Sequence, residues 1–172
     1  MTSIVSGILE SASSDDQILQ LQPKRFSFSY LVKEELQGLL HQMKQKNIAI
    51  QTDIQTRVFV VADKQKCREA VLNIIDNAVR YTPAGGKVTV RLEVLASSLV
   101  LTVTDTGIGL ADKDQKSIFK KYFRSEQARK AQPSGTGIGL YVCKQFIEAH
   151  GGTIEVKSKL HKGSSFILTM PL

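Results

Sequence analysis

The sequence predicts an α/β two-layer sandwich, a mostly antiparallel sheet with helices on one face. Three observations predict it. Apolar residues recur at helical spacing over about 29–46 and again over 63–81. KVTVRLEVL and LVLTVTD, joined across Ala96–Ser98, alternate as the two arms of a hairpin. TIEVKS and SSFILTMPL close the chain as a second strand pair.

Taken in order, residues 1–12 make a short apolar helical stretch, too short to stand alone, and SSDD at Ser13–Asp16 breaks it. Pro23 bars a helix in LQPKRFSFS, which reads as extended. The first long helix follows from Leu31, Val32, Leu36, Leu39, Leu40 and Met43. NIAIQTDI alternates as a strand, and VFVVA is a second, short one. Asp63 is placed to cap the next helix, which Pro83 and Gly85–Gly86 end. A short helix is expected over 113–122. SEQARKAQPSG, residues 125–135, shows no periodicity and reads as a mobile loop. A last helix begins near Gly137 and stops at His150–Gly152, where glycines suit a C-cap.

At 172 residues the chain is about one domain, with 42% hydrophobic and 23% charged residues, as in soluble globular proteins. Its net charge of +7 favours anionic partners. No basic run interleaved with aromatics is present, which argues against nucleic acid. No stretch reaches the roughly 18–20 apolar residues of a membrane span. MTSIVSGILE lacks the basic start and long apolar run of a signal peptide. Cys67 and Cys143 fit no metal or redox spacing and read as reduced core residues of a cytoplasmic domain.

In REAVLNIIDNAVRY, Cys67, Val71, Ile74, Ile75 and Ala78 share one side of a helix. Glu69, Asn73, Asn77 and Arg80 share the adjacent side. Two asparagines at i, i+4 are poor helix formers, so a solvated face would not select them. Their carbonyl oxygens suit Mg²⁺, and Arg80 suits a phosphate. In LVLTVTDTGIGL, Leu99, Leu101, Val103 and Asp105 fall on one strand face, which places Asp105 at the inner end of a pocket. A buried carboxylate there needs a donor: a backbone N–H of the next turn, a water, or an amino group such as adenine N6. TGIGL recurs at Thr136–Leu140, but the flanks of the two copies do not align, which excludes an internal repeat. The second copy follows seven basic residues set against three acidic ones over 111–131, and it opens a helix. Its N–H groups suit an anion. Together these suggest a nucleotide with its base beside Asp105 and its phosphates under the second turn.

The motifs resemble, in order, those of the GHKL superfamily of gyrase, heat-shock chaperone, histidine kinase and MutL. NIIDNAVRYTP is similar to its N box, DTGIGL to G1, IFKKYFR to the F box of histidine kinases, GTGIGL to G2, and HGGTIEVKS with KGSSF to G3. The match covers about residues 25–172. The resemblance implies the Bergerat fold: a mixed sheet of about five strands with three helices on one face. It implies ATP and Mg²⁺ as cofactors. Asn77 would be the Mg²⁺ ligand with Asn73 beside it, Arg80 would contact phosphate, and Tyr81 would pack on the nucleoside. Asp105 would read adenine, with Gly107, Ile108 and Gly109 shaping the base pocket. Tyr122, Phe123 and Arg124 belong to the F box, in which Arg124 would reach the γ-phosphate. Gly135, Thr136, Gly137, Ile138, Gly139 and Leu140 would hold the phosphates. Ser165 would stand near the base.

The F box departs from the usual order, with Tyr122 before Phe123. His41, His150 and His161 lack the setting of a phosphoacceptor. The resemblance therefore implies a catalytic domain at 23–172 that phosphorylates a histidine on a separate dimerisation domain, serving a response regulator indirectly. Residues 1–22 would be the tail of that domain plus a linker, and the fragment would be monomeric. Hydrolases of the superfamily carry a general-base Glu where this chain has Asn73, and an amide takes no proton from water. Asp76 reads as off that face and Glu69 as a turn further back. A hydrolase or conformational switch, a serine kinase of the anti-sigma type, and a non-catalytic docking module are the alternatives.

Overall fold

A computed structural model describes residues 20–172. The expected helix tail at 1–12 lies outside the described residues. The elements are β1 (Pro23–Ser27), α1 (Phe28–Gln45), β2 (Ala49–Ile54), β3 (Phe59–Asp63), α2 (Lys64–Tyr81), β4 (Lys87–Leu95) and β5 (Ser98–Asp105). There follow α3 (Asp112–Gln115), α4 (Glu126–Ala131), α5 (Gly139–Ala149), β6 (Thr153–Lys159) and β7 (Gly163–Pro171).

Five strands form one mixed sheet in the order β2-β4-β5-β7-β6. β2 runs parallel to β4, and the other pairs are antiparallel. Strand alternation gives the sheet one apolar face. Val88, Val90 and Leu92 of β4, Leu99, Leu101 and Val103 of β5, and Phe166, Leu168 and Met170 of β7 are buried. The long helices cover them. α1 buries Phe28, Leu31, Val32, Leu36, Leu39 and Met43 at helical spacing. α2 buries Cys67, Ala70, Val71, Ile74, Ile75 and Ala78, and α5 buries Cys143, Phe146 and Ile147. Both cysteines are free and buried, and burial pushes the Cys67 thiol up to about 12. The fold is thus the two-layer sandwich the sequence predicts, with a sheet of five strands and three long helices.

Caps fix where these helices begin. Ser27 Oγ accepts from the Tyr30 N–H at 3.2 Å. Asp63 Oδ1 accepts from the N–H groups of Gln65 and Lys66, at 3.0 and 3.1 Å, as its sequence position predicts. The Asp63 N–H in turn donates to Nε2 of His150, which ties the start of α2 to the end of α5. The far end of α2 is closed from three directions. Thr82 Oγ1 donates to Ala78 O at 2.6 Å, and Lys46 Nζ donates to Val79 O and Arg80 O at 2.7 and 2.9 Å. The Ile108 N–H donates to Tyr81 O at 3.2 Å. All four carbonyls that a helix end leaves open are satisfied, and the last of them binds the turn that follows β5.

Three local expectations change. PKRFS and FVVAD pair as an antiparallel ribbon outside the main sheet. The helix expected over 113–122 is confined to Asp112–Gln115, and turns follow it. A helix, α4, replaces part of the loop expected over 125–135. Ser125 Oγ caps it by accepting from the Ala128 N–H at 3.2 Å. No residue of α4 is buried, so it leaves no apolar period to read.

Candidate functional site

The end of α2, the turn after β5, the start of β7 and the segment 118–140 enclose a cavity of about 320 Å³. α2 lines it on successive turns with Asn73, Asp76, Asn77, Arg80 and Tyr81. Asp105, Ile108 and Gly109 line it from the β5 end, and Ser164 and Phe166 from β7. The opposite wall is Phe123, Arg124, Gly135, Thr136, Gly137, Gly139 and Leu140.

Asp105 ends the apolar face of β5 and is 5% exposed. Its Oδ1 accepts from the Gly107 N–H at 2.7 Å and from the Ser164 N–H at 3.3 Å. Burial pushes its carboxyl up to about 6, against the lowering effect of those two donors. It is ionised at neutral pH, and both donors fall on Oδ1, which leaves Oδ2 able to accept from a ligand. The turn that supplies the first donor needs glycine. A Cβ on Gly107 would stand 2.5 Å from Tyr81 O and 2.6 Å from Asp105 Oδ1. Gly109 has φ +63°, and a Cβ there would meet Lys159 O at 2.0 Å. This end of the cavity is therefore built on backbone.

At the other end, Arg124 is enclosed by the segment it precedes. Its guanidinium donates to the carbonyls of Ala128, Pro133 and Gly135 at 2.9–3.0 Å, and to that of Gln132. Charge-assisted bonds of this kind are the stronger ones, and they fold α4 and residues 132–135 back over the cavity. The Tyr122 N–H donates to Gly137 O at 3.0 Å, so the turn that opens α5 rests on the same strap.

The α2 face carries oxygen donors. Asn73, Asp76 and Asn77 all line the cavity. Asp76, expected off that face, lies on it. The cavity wraps an arc wide enough to take i+3 as well as i+4 from Asn73. Asp76 Oδ2 lies 2.6 Å from Arg80 Nε. Burial raises the Asp76 carboxyl, and Arg80 opposes that shift. Glu69 does not line the cavity, and burial raises its carboxyl too. Two amide oxygens and a carboxylate suit a hard cation such as Mg²⁺, which is commonly held by one or two protein groups together with substrate phosphates. Gly139 leaves room for this, since a Cβ there would lie 2.6 Å from Asn73 Oδ1. Among the described residues no cluster of three His, Cys, Asp or Glu side chains is placed to hold a metal.

Most of the site residues expected from the sequence meet at this one cavity. Gly107 lies behind its wall, where its bareness admits Tyr81 O. Tyr122 is 57% exposed and Ile138 does not line the cavity. Ser165 is a correction. It pairs with Thr104 on the outer face of the sheet, its Oγ 2.9 Å from Thr104 Oγ1. Ser164, 8% exposed, is the serine at the cavity. A shift of one residue along a strand reverses the face.

Residues 62–172 match the family described as histidine kinase-, DNA gyrase B-, and HSP90-like ATPase. Over its whole length the chain is 36% identical to the adaptive-response sensory kinase SasA of Synechococcus sp. (strain JA-3-3Ab), of which it covers 46%. It thus spans about half the length of the curated relatives it matches. Among solved structures, the Acinetobacter baumannii histidine kinase AdeS superposes with a TM-score of 0.73 at 26% identity, over 98% of this chain and 78% of that one. The histidine kinase ThkA, solved in complex with the response regulator protein TrrA, gives 0.76 at 23% identity, over 97% of this chain and 46% of that one. At that identity ThkA bears on the fold alone.

Proposed function

This chain belongs to the family of histidine kinase-, DNA gyrase B- and HSP90-like ATPases, and from that premise we propose that it binds Mg-ATP and donates the γ-phosphoryl group to a histidine on a separate dimerisation domain. The observation that carries the reading is Asp105. It is a buried carboxylate at the floor of the cavity, bonded only through Oδ1 to backbone N–H groups, with the oxygen donors of α2 lining the same space. Asp105 Oδ2 would accept from adenine N6, and Tyr81, Ile108 and Phe123 would flank the nucleoside. Asn77 would hold Mg²⁺ with Asn73 beside it, and the bound ion would offset charge on the phosphates. Arg80 and the N–H groups from Gly135 to Leu140 would face the phosphates. Arg124 would exchange its carbonyl partners for the γ-phosphate.

The kinase reading is favoured over hydrolysis by Asn73, where water would need a base, and by the absence of Glu69 from the cavity lining; Asp76, the α2 carboxylate that does line it, is paired with Arg80. Transfer would then rest on positioning and charge neutralisation. Relatives named as sensory kinases support a place in two-component signalling. No helix among the described residues is long and apolar enough to cross a membrane. We place the domain in the cytoplasm, where ATP is supplied, and expect the fragment to be monomeric. Calorimetric titration with a non-hydrolysable ATP analogue tests the binding. The analogue should bind with Mg²⁺, and more weakly to Asn77→Ala and Asp105→Asn. Full affinity in both variants would remove the assignment. Transfer of labelled phosphate to a supplied acceptor domain, against slow release to water, then separates kinase from hydrolase.

A further inference from the structure

α2 brings a carboxylate to the place where a triphosphate would lie. Asp76 lines the cavity with Asn73, Asn77 and Arg80, and its side chain is 21% exposed. Among the described residues its one ion-pair partner is Arg80, whose side chain is 50% exposed. An i,i+4 pair of this kind is usually a minor surface device. Here one member faces the cavity and the other reaches solvent.

Resting on the nucleotide reading above, we propose that Asp76 sets the divalent-cation dependence of nucleotide binding at this site. A triphosphate brings several negative charges toward α2. Arg80 cannot neutralise both the phosphates and Asp76. If its guanidinium turns to a phosphate, Asp76 becomes a half-buried carboxylate without a counter-charge, facing like charge. If it stays on Asp76, the phosphates lose a cation. Either way the metal-free nucleotide is penalised. A divalent cation beside Asn77 removes the conflict, because it attracts the carboxylate and the phosphates together and prefers hard oxygen donors. Asp76 thus works against the bare nucleotide and for the metal complex, which gives selectivity by penalising the wrong ligand.

The test is calorimetric titration of the whole chain with a non-hydrolysable ATP analogue, in Mg²⁺ and in EDTA, with adenosine as a ligand free of phosphate. The unsubstituted chain should bind the analogue at least about tenfold more tightly with Mg²⁺, the effect of one neighbouring charge at partial screening. In Asp76→Asn, metal-free affinity should rise and that ratio should shrink several-fold. Asp76→Glu, which keeps the charge, should keep the ratio. Adenosine should bind all three alike. An unchanged ratio in Asp76→Asn overturns the proposal and leaves the nucleotide site standing. So does a parallel loss of adenosine affinity, which would make Asp76 a shaper of the pocket only. No binding of the analogue to the unsubstituted chain overturns the nucleotide reading itself and the proposal with it.

Discussion

The two TGIGL segments are identical in sequence and different in structure. In Thr106–Leu110 the second glycine takes the left-handed backbone, with Gly109 at φ +63°; in Thr136–Leu140 it is the first, with Gly137 at φ +73°. The first copy is pinned on every side by fixed groups. Ile108 donates to Tyr81 O and accepts from the His161 N–H at 2.8 Å, and the Leu110 N–H donates to Ser158 Oγ at 2.8 Å. The second copy is divided: Gly137 packs on backbone, where a Cβ would stand 2.8 Å from Phe123 O, and the glycines on either side of it meet groups that can move. Gly139 faces the amide of Asn73, and Gly135 just before it faces the guanidinium of Arg124. Glycine serves close approach in both places. In one it lets backbone pack on backbone and makes a wall. In the other Gly137 does the same, while Gly135 and Gly139 leave room for side chains that would act on a ligand. Substitutions at Gly107, Gly109 and Gly137 should therefore cost folding, and those at Gly139 should cost function.

The sharpest way to break this contrast is Gly109→Ala. Its Cβ would need both a strained φ and space 2.0 Å from Lys159 O, which is backbone and cannot swing aside. We expect a loss of about 3 kcal/mol or more, the range of backbone-strain and overpacking defects. It would be read from urea unfolding followed by far-UV circular dichroism. A loss under about 1 kcal/mol would show that the β5 turn is softer than its contacts imply.

Next in size is Asp105→Asn, which tests the floor of the wall. A charge-assisted bond to the ligand is lost, so affinity for an ATP analogue should fall about 10- to 100-fold. Stability should move the other way. The folded carboxyl titrates at about 6, above its ordinary 3.8. The folded state therefore holds the proton to higher pH than the unfolded chain does. Stability contributed by the protonated form is present at low pH and declines as pH rises from about 4 to about 6. Asp105→Asn should remove that decline and raise neutral-pH stability by about 1–2 kcal/mol, discounted for partial solvation. Nucleotide affinity of the unsubstituted chain should weaken below about pH 6, as the acceptor on Asp105 is protonated. Thermal melts and titrations from pH 4 to 8 read both trends, and affinity constant across that range would exclude Asp105 as the reader of the base.

The same contrast explains what could be read in the sequence. α2, the β4–β5 hairpin and the inward face of Asp105 were legible because one buried face imposes a period. β1 was legible as extended chain from Pro23, but its pairing with β3 was not, because its first three residues are exposed and nothing alternates. α4 was not, because its order comes from the Ser125 cap and the bonds of Arg124 to carbonyls. Asp76 was missed because a helical wheel gives the centre of a face and not the width of the cavity that meets it. Ser164 and Ser165 are adjacent in KGSSF, and the two-residue period of Phe166, Leu168 and Met170 puts Ser164 on the buried face, a signal in the sequence that the family motif overrode.

Gly139→Ala examines the second copy alone. Alanine is the better helix former by about 1 kcal/mol, and its Cβ would displace the end of Asn73, a side chain that can move. Stability should change by less than about 1 kcal/mol. Analogue affinity in Mg²⁺ should fall several-fold, while adenosine affinity holds. Equal losses for both ligands would mean that Gly139 supports the whole cavity and not its metal end.

The smallest effect lies in the first residue of each copy. Thr106 Oγ1 accepts from the Lys87 N–H at 2.9 Å, and the Thr106 N–H donates back to Lys87 O at 3.0 Å, so this threonine extends the β4–β5 ladder past its last pair. Thr136 Oγ1 accepts only a long bond, 3.4 Å, from the exposed Ile138 N–H. Thr106→Ala should cost about 0.5–1 kcal/mol of stability, the net worth of one hydrogen bond at a surface. Thr136→Ala should stay within about 0.5 kcal/mol of the unsubstituted chain. The difference is near the limit of equilibrium unfolding, so it is better read locally, from hydrogen exchange of the Lys87 and Ile138 amides. Faster exchange at Lys87 in Thr106→Ala, with Ile138 unmoved in Thr136→Ala, is what a fixed wall and a free opening require. Equal responses would mean that the two copies are held alike, and that their different backbones carry no difference in rigidity.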